Sequence, residues 1–62
     1  MKKEAKMMMN MATSIAELNN TEITRMDLQK CHLGDIEYYT LSVWYSDGKE
    51  ILIRSDCTII VK

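Results

Sequence analysis

The stretch YYTLSVWYSDGKEILIRS, Tyr38 to Ser55, constrains the fold more than any other part of the chain. Aromatic and β-branched residues alternate with polar ones on both sides of Ser46-Asp47-Gly48, a cluster of turn-forming residues. The segment predicts a β-hairpin, and two registers compete. A two-residue Asp47-Gly48 loop pairs Val43 with Leu52 but sets Leu41 against Arg54. A three-residue loop, Ser46-Asp47-Gly48, gives Gly48 the left-handed bulge position that glycine tolerates. It pairs Val43 with Ile51, Leu41 with Ile53 and Tyr45 with Lys49. The second register separates apolar from polar residues better and is adopted.

Residues 21–33 fit two patterns. As a helix they would end well, with Gly34 just past the last turn. As a strand, Met26 and Leu28 share one face, with Thr24 and Lys30 beyond them. Register decides for the strand. A two-residue Gly34-Asp35 loop sets Leu28 opposite Leu41, Met26 opposite Val43, and His32 opposite Glu37. Both hairpins then bury the same face of the middle strand. That inner face holds Met26, Leu28, Tyr39, Leu41, Val43, Tyr45, Ile51 and Ile53.

The N-terminal segment supplies a cover for it. Ala5, Met8, Met9, Ala12, Ile15 and Ala16 recur at helical spacing, and "NNT" at 19–21 stops the pattern. Ser14 and Glu17 have capping-box spacing and would start a shorter helix at Ile15, leaving a Met-rich tail. The longer helix, 1–19, accounts for more of the apolar residues. A basic start and Ser14-x-Ala16 give the segment a superficial likeness to a secretory signal; Glu4 and Asn10 interrupt that pattern, and the helix is preferred. The methionines read as core filler or partner contact, and a thioether metal site is set aside. The chain is thus expected to be one α+β domain, 1–62: an N-terminal amphipathic helix on an antiparallel meander, 22–62. Three strands are assigned. "TIIV" is β-branched enough for a fourth, turning at Ser55-Asp56 or pairing with another chain.

One helix cannot cover both faces of a sheet. Trp44, the only tryptophan, falls on the outer face between Arg25 and Glu50, with Ile36, Tyr38 and Leu52 on the same side. Trp44, Tyr38, Arg25, Leu52 and Ile36 are the candidate partner-binding residues, since exposed aromatic and Arg clusters carry binding energy. Two plain alternatives stand beside this: Arg25 simply stacks on the indole, or "CTIIVK" folds back over the patch.

Other chemistries find little support. Cys31-His32 with Asp35, Glu37 and Cys57 matches no zinc spacing, and strand neighbours diverge, so no metal site is assigned. The same register puts Cys31 on the outer face and Cys57 on the inner one, and both thiols are expected to be free. No phosphate loop or nucleophile elbow is present, so neither catalysis nor a cofactor is expected. No apolar run approaches the ~18 residues of a membrane span. The net charge is −1. Residues 1–20 are slightly basic and the remainder slightly acidic, with no basic face for a duplex.

Sixty-two residues lie near the lower limit for burying a self-sufficient core, which favours self-association. The expectation is a cytoplasmic protein-interaction module, a homodimer that occupies the surface of a protein partner. Regulators and inhibitors, including those carried by phages and mobile elements, suit a chain this small. The runner-up is a single-stranded nucleic-acid binder using Tyr38 and Trp44 as stacking platforms, weakened by the missing positive groove.

Overall fold

A computed structural model describes residues 3–62. Helix α1 spans Lys3–Leu18 and is followed by strands β1 (Ile23–Leu33), β2 (Ile36–Tyr45), β3 (Glu50–Arg54) and β4 (Ile59–Val61). The strands form one antiparallel sheet in the order β1-β2-β3-β4, with α1 packed on one face. The expected α+β meander is present, and residues 57–62 supply its fourth strand. Met1 and Lys2 of the expected 1–19 helix lie outside the described residues.

The helix is continuous through Ser14, so the shorter helix from Ile15 is not what forms. Ala5, Met8, Ala12 and Ala16 are buried along one stripe, with Met9 and Ile15 half-buried beside it. Three small alanines let the helix backbone sit close to the sheet, and Met8 fills the remaining depth. The helix ends in a Schellman arrangement: Thr21 N–H donates to Ala16 C=O at 2.9 Å and Asn20 N–H to Glu17 C=O at 3.2 Å. Asn20 takes the left-handed conformation this requires, with φ 53°.

Both hairpin registers are as the residues predict. Leu28 pairs with Leu41, Met26 with Val43, and His32 with Glu37 across β1–β2. Val43 pairs with Ile51 and Leu41 with Ile53 across β2–β3. Gly48 sits at φ 91°, and Tyr45 N–H donates to Lys49 C=O at 2.9 Å, closing the three-residue loop.

Three details differ from strict alternation. A bulge at Thr24 lets Ile23, rather than Thr24, pair with Tyr45, so an apolar side chain joins the core rim and the threonine drops out. Thr24 Oγ1 instead donates to the Trp44 carbonyl at 3.2 Å. Met26 and Leu28 lie on the inner face but remain 42% and 36% exposed: α1 lies over β2 and reaches both neighbouring strands, yet on β1 it is Ile23 that packs against the core. Cys57 is a turn residue with φ 70°, not an inward-facing strand residue. The β3–β4 turn repeats the β2–β3 turn: Arg54-Ser55-Asp56-Cys57-Thr58 stands where Tyr45-Ser46-Asp47-Gly48-Lys49 did. Arg54 N–H donates to Thr58 C=O at 2.9 Å, and Cys57 N–H to Arg54 C=O at 2.8 Å.

Candidate interaction face

The sheet face opposite α1 is built by alternate residues, since strand neighbours point to opposite sides. Its first row across the strands is Arg25, Trp44 and Glu50; the second is Asp27, Ser42, Leu52 and Ile60. Gln29, Thr40 and Arg54 follow, and then Cys31 and Tyr38, and last Leu33 and Ile36 at the hairpin tip. All five sequence-predicted residues are on this face. They do not form one patch.

Trp44, Arg25 and Leu52 gather at one end. The Arg25 guanidinium carbon lies 4.9 Å from the centroid of the indole, a cation–π contact that holds the half-buried ring against the sheet. Leu52 is the diagonal neighbour of Trp44, and Ile60 adjoins Leu52 directly. An apolar stripe therefore runs from Trp44 through Leu52 to Ile60 at the open sheet edge. Lys62 borders the stripe, with its ammonium 3.3 Å from the Glu50 carboxylate.

Tyr38 and Ile36 belong to the other end, about 20 Å along β2 at ~3.3 Å per residue. Polar Ser42 and Thr40 intervene. Here β1 and β2 outrun β3, whose last pair with β2 is Arg54 with Thr40. The hairpin continues alone as a two-stranded arm, giving the molecule its long dimension of 39 Å against 21 and 17 Å. Leu33 and Ile36 are exposed at its tip, and with Tyr38, Arg54, Ser55 and Asp56 they line a shallow groove. On the arm's other face Lys30 lies 3.1 Å from Glu37, with His32 3.9 Å from the same carboxylate. Hydrogen bonding to Glu37, followed by its charge, raises the Lys30 pKa.

Among known protein families, curated proteins and solved structures, nothing matches this chain. What the face can do is set by its own residues.

Leu33 and Ile60 are the members that sequence reasoning missed. Leu33 was legible, because the Gly34-Asp35 loop pairs it with Ile36. Ile60 was legible only through the repeated turn, which aligns Ile60 with Leu52. Cys31 and His32 point to opposite faces, and both cysteines are free. The Cys31 sulfur lies 3.9 Å from Thr40 Oγ1. No group of three or more His, Cys, Asp or Glu side chains placed to hold a metal ion occurs among the described residues. None of the described helices is long and apolar enough to cross a membrane.

The charges of the face are mixed. Arg25 is committed to Trp44 and Lys62 to Glu50, while Asp27 and Asp56 add negative charge. The Thr58 side-chain and backbone hydrogen bonds, with Arg54 adding a smaller effect, hold the Asp56 carboxyl below its usual pKa.

Proposed function

We propose that the chain is a small non-enzymatic protein-interaction module that regulates or inhibits a protein partner by occupying its surface through the outer sheet face. One observation carries this. Trp44 is fixed by Arg25 on a face that no other described element covers, and Leu52 and Ile60 extend its apolar surface to the sheet edge. A rigid, pre-positioned aromatic side chain loses little entropy on binding, which is what an anchor residue requires. The free thiols of Cys31 and Cys57 fit a reducing compartment such as the cytoplasm.

Capture from source-cell lysate tests the reading. Specific proteins retained by the wild type and lost with Trp44→Ala support it, provided the variant keeps the native circular dichroism spectrum. Short oligonucleotides bound through Trp44, with affinity falling steeply as salt rises, would replace it with single-stranded nucleic-acid binding.

A further inference from the structure

The two edges of the sheet differ in what they offer a neighbouring strand. In an antiparallel ladder, hydrogen-bonded and non-bonded pairs alternate. Lys62 N–H donates to Glu50 C=O at 3.0 Å and Arg54 N–H to Thr58 C=O at 2.9 Å. Leu52–Ile60, midway between them in register, is therefore also a bonded pair. It follows that the N–H and C=O groups of Ile59 and Val61 point away from β3, along the open edge. The side chains beside them are apolar: Ile59 and Ile60 are each 41% exposed and Val61 75%. No charge interrupts residues 57–61.

The β1 edge is guarded. Its outward groups belong to Met26, Leu28, Lys30 and His32, and the bulge at Thr24 ends the regular stretch. A two-fold at Leu28 would set Met26 against Lys30 of the second copy; one at Gln29 would set Leu28 against that lysine. Charged side chains and bulges are the usual means by which an edge resists pairing. β4 has neither.

We infer that β4 pairs antiparallel with β4 of a second copy about a two-fold axis through Ile60. In this register Ile59 and Val61 of the second copy exchange both backbone hydrogen bonds, and the symmetry repeats the exchange on the other side of the axis. Ile60 meets Ile60 as a non-bonded pair, and Thr58 faces Lys62, so no like charges oppose. Two four-stranded sheets become one continuous sheet with both helices on the same side. The stripe Trp44–Leu52–Ile60 joins its mate across the axis into a single apolar band with a tryptophan at each end. The use of that band for a partner rests on the proposed function; the pairing itself does not.

The backbone geometry supplies matched tests. Ile59→Pro removes an N–H that bonds nothing within one chain, so the fold should survive while pairing is lost. Leu28→Pro removes an equivalent outward N–H on β1 and should leave pairing intact. At about 100 μM, where a small interface of this class is populated, sedimentation equilibrium should return the dimer mass for wild type and Leu28→Pro. Ile59→Pro should return the monomer mass. A non-bonded pair sets its Cα atoms about 4.5 Å apart, within disulfide range. In a Cys31→Ser, Cys57→Gly background, Ile60→Cys should therefore cross-link to twice the chain mass on mild oxidation, and Leu28→Cys should not. A monomeric wild type, an uncross-linked Ile60→Cys, or cross-linking at Leu28→Cys instead would overturn the inference. A dimeric wild type that captures no partner would undo only the proposed function.

Discussion

The Tyr45 hydroxyl donates a 2.9 Å hydrogen bond to the Ala12 carbonyl, tying the last residue of β2 to the middle of α1 through the core. The bond joins helix and sheet at one defined point along β2. Tyr45→Phe keeps the ring and deletes the bond. The Ala12 carbonyl lies within the helix and keeps its helical partner, so the cost should be modest, about 1 kcal/mol from the denaturant midpoint.

The same residue gives a pH signature. Burial, with a smaller contribution from Asp47, raises the Tyr45 pKa above its ordinary value of 10.0. A raised acid favours folding in its protonated form. That stability is complete below pH 10 and is lost as pH climbs through the folded-state pKa. Equilibrium unfolding followed from pH 8 upward should show this alkaline loss in the wild type and a shallower one in Tyr45→Phe.

The repeated turns predict opposite effects at equivalent positions. Gly48 and Cys57 both occupy the left-handed region, at φ 91° and 70°, and only one of them is glycine. A Cβ added at Gly48 would meet nothing within 4 Å, so its cost is conformational rather than steric. Gly48→Ala should destabilise by about 1 kcal/mol, and Cys57→Gly should stabilise by up to about that amount. Thermal melts of the two variants under reducing conditions provide the comparison.

Much of this fold could be read from the residues because two registers had to agree on one strand. Val43 and Leu41 face apolar partners on both sides only if both loops have the assigned lengths. What alternation cannot supply is the width of the cover. A helix about 10 Å across spans roughly two strands at ~4.8 Å spacing, so it cannot seal all of a four-stranded face: Leu41, Val43, Ile51 and Ile53 are buried while Met26 and Leu28 stand at the margin. The bulge at Thr24 was hidden for a related reason: only packing shows that Ile23 gains more from the inner face than the threonine would. Of the candidate face, the side of the sheet on which Trp44, Tyr38, Arg25, Leu52 and Ile36 lie was legible. Its division into a Trp44 end and a Tyr38 end follows from the unequal lengths of β2 and β3, which the motif does not encode.

Leu28 and Leu41 turn that width into a measurement. They are the same residue type, directly paired and on the same face, yet one is 36% exposed and the other fully buried. Leu41→Ala leaves a cavity in the sealed core and should cost about 3 kcal/mol. Leu28→Ala leaves none and should cost about 1 kcal/mol or less. Equal losses would mean that something else covers β1 in solution.

Val43 and Trp44 separate core from surface across one peptide bond. Val43 is fully buried between Met26 and Ile51, so Val43→Asp places an unpaired carboxylate in the core and should unfold the domain. Trp44 points the other way, and Trp44→Ala forfeits the Arg25 contact, worth ~0.5–1 kcal/mol, plus some packing. The variant should keep the native circular dichroism spectrum and lose partner capture. In the wild type, iodide should quench the indole, and a bound partner should protect it and shift its emission to the blue. Loss of fold in Trp44→Ala alongside a tolerated Val43→Asp would exchange the two faces and make the proposed binding surface the core.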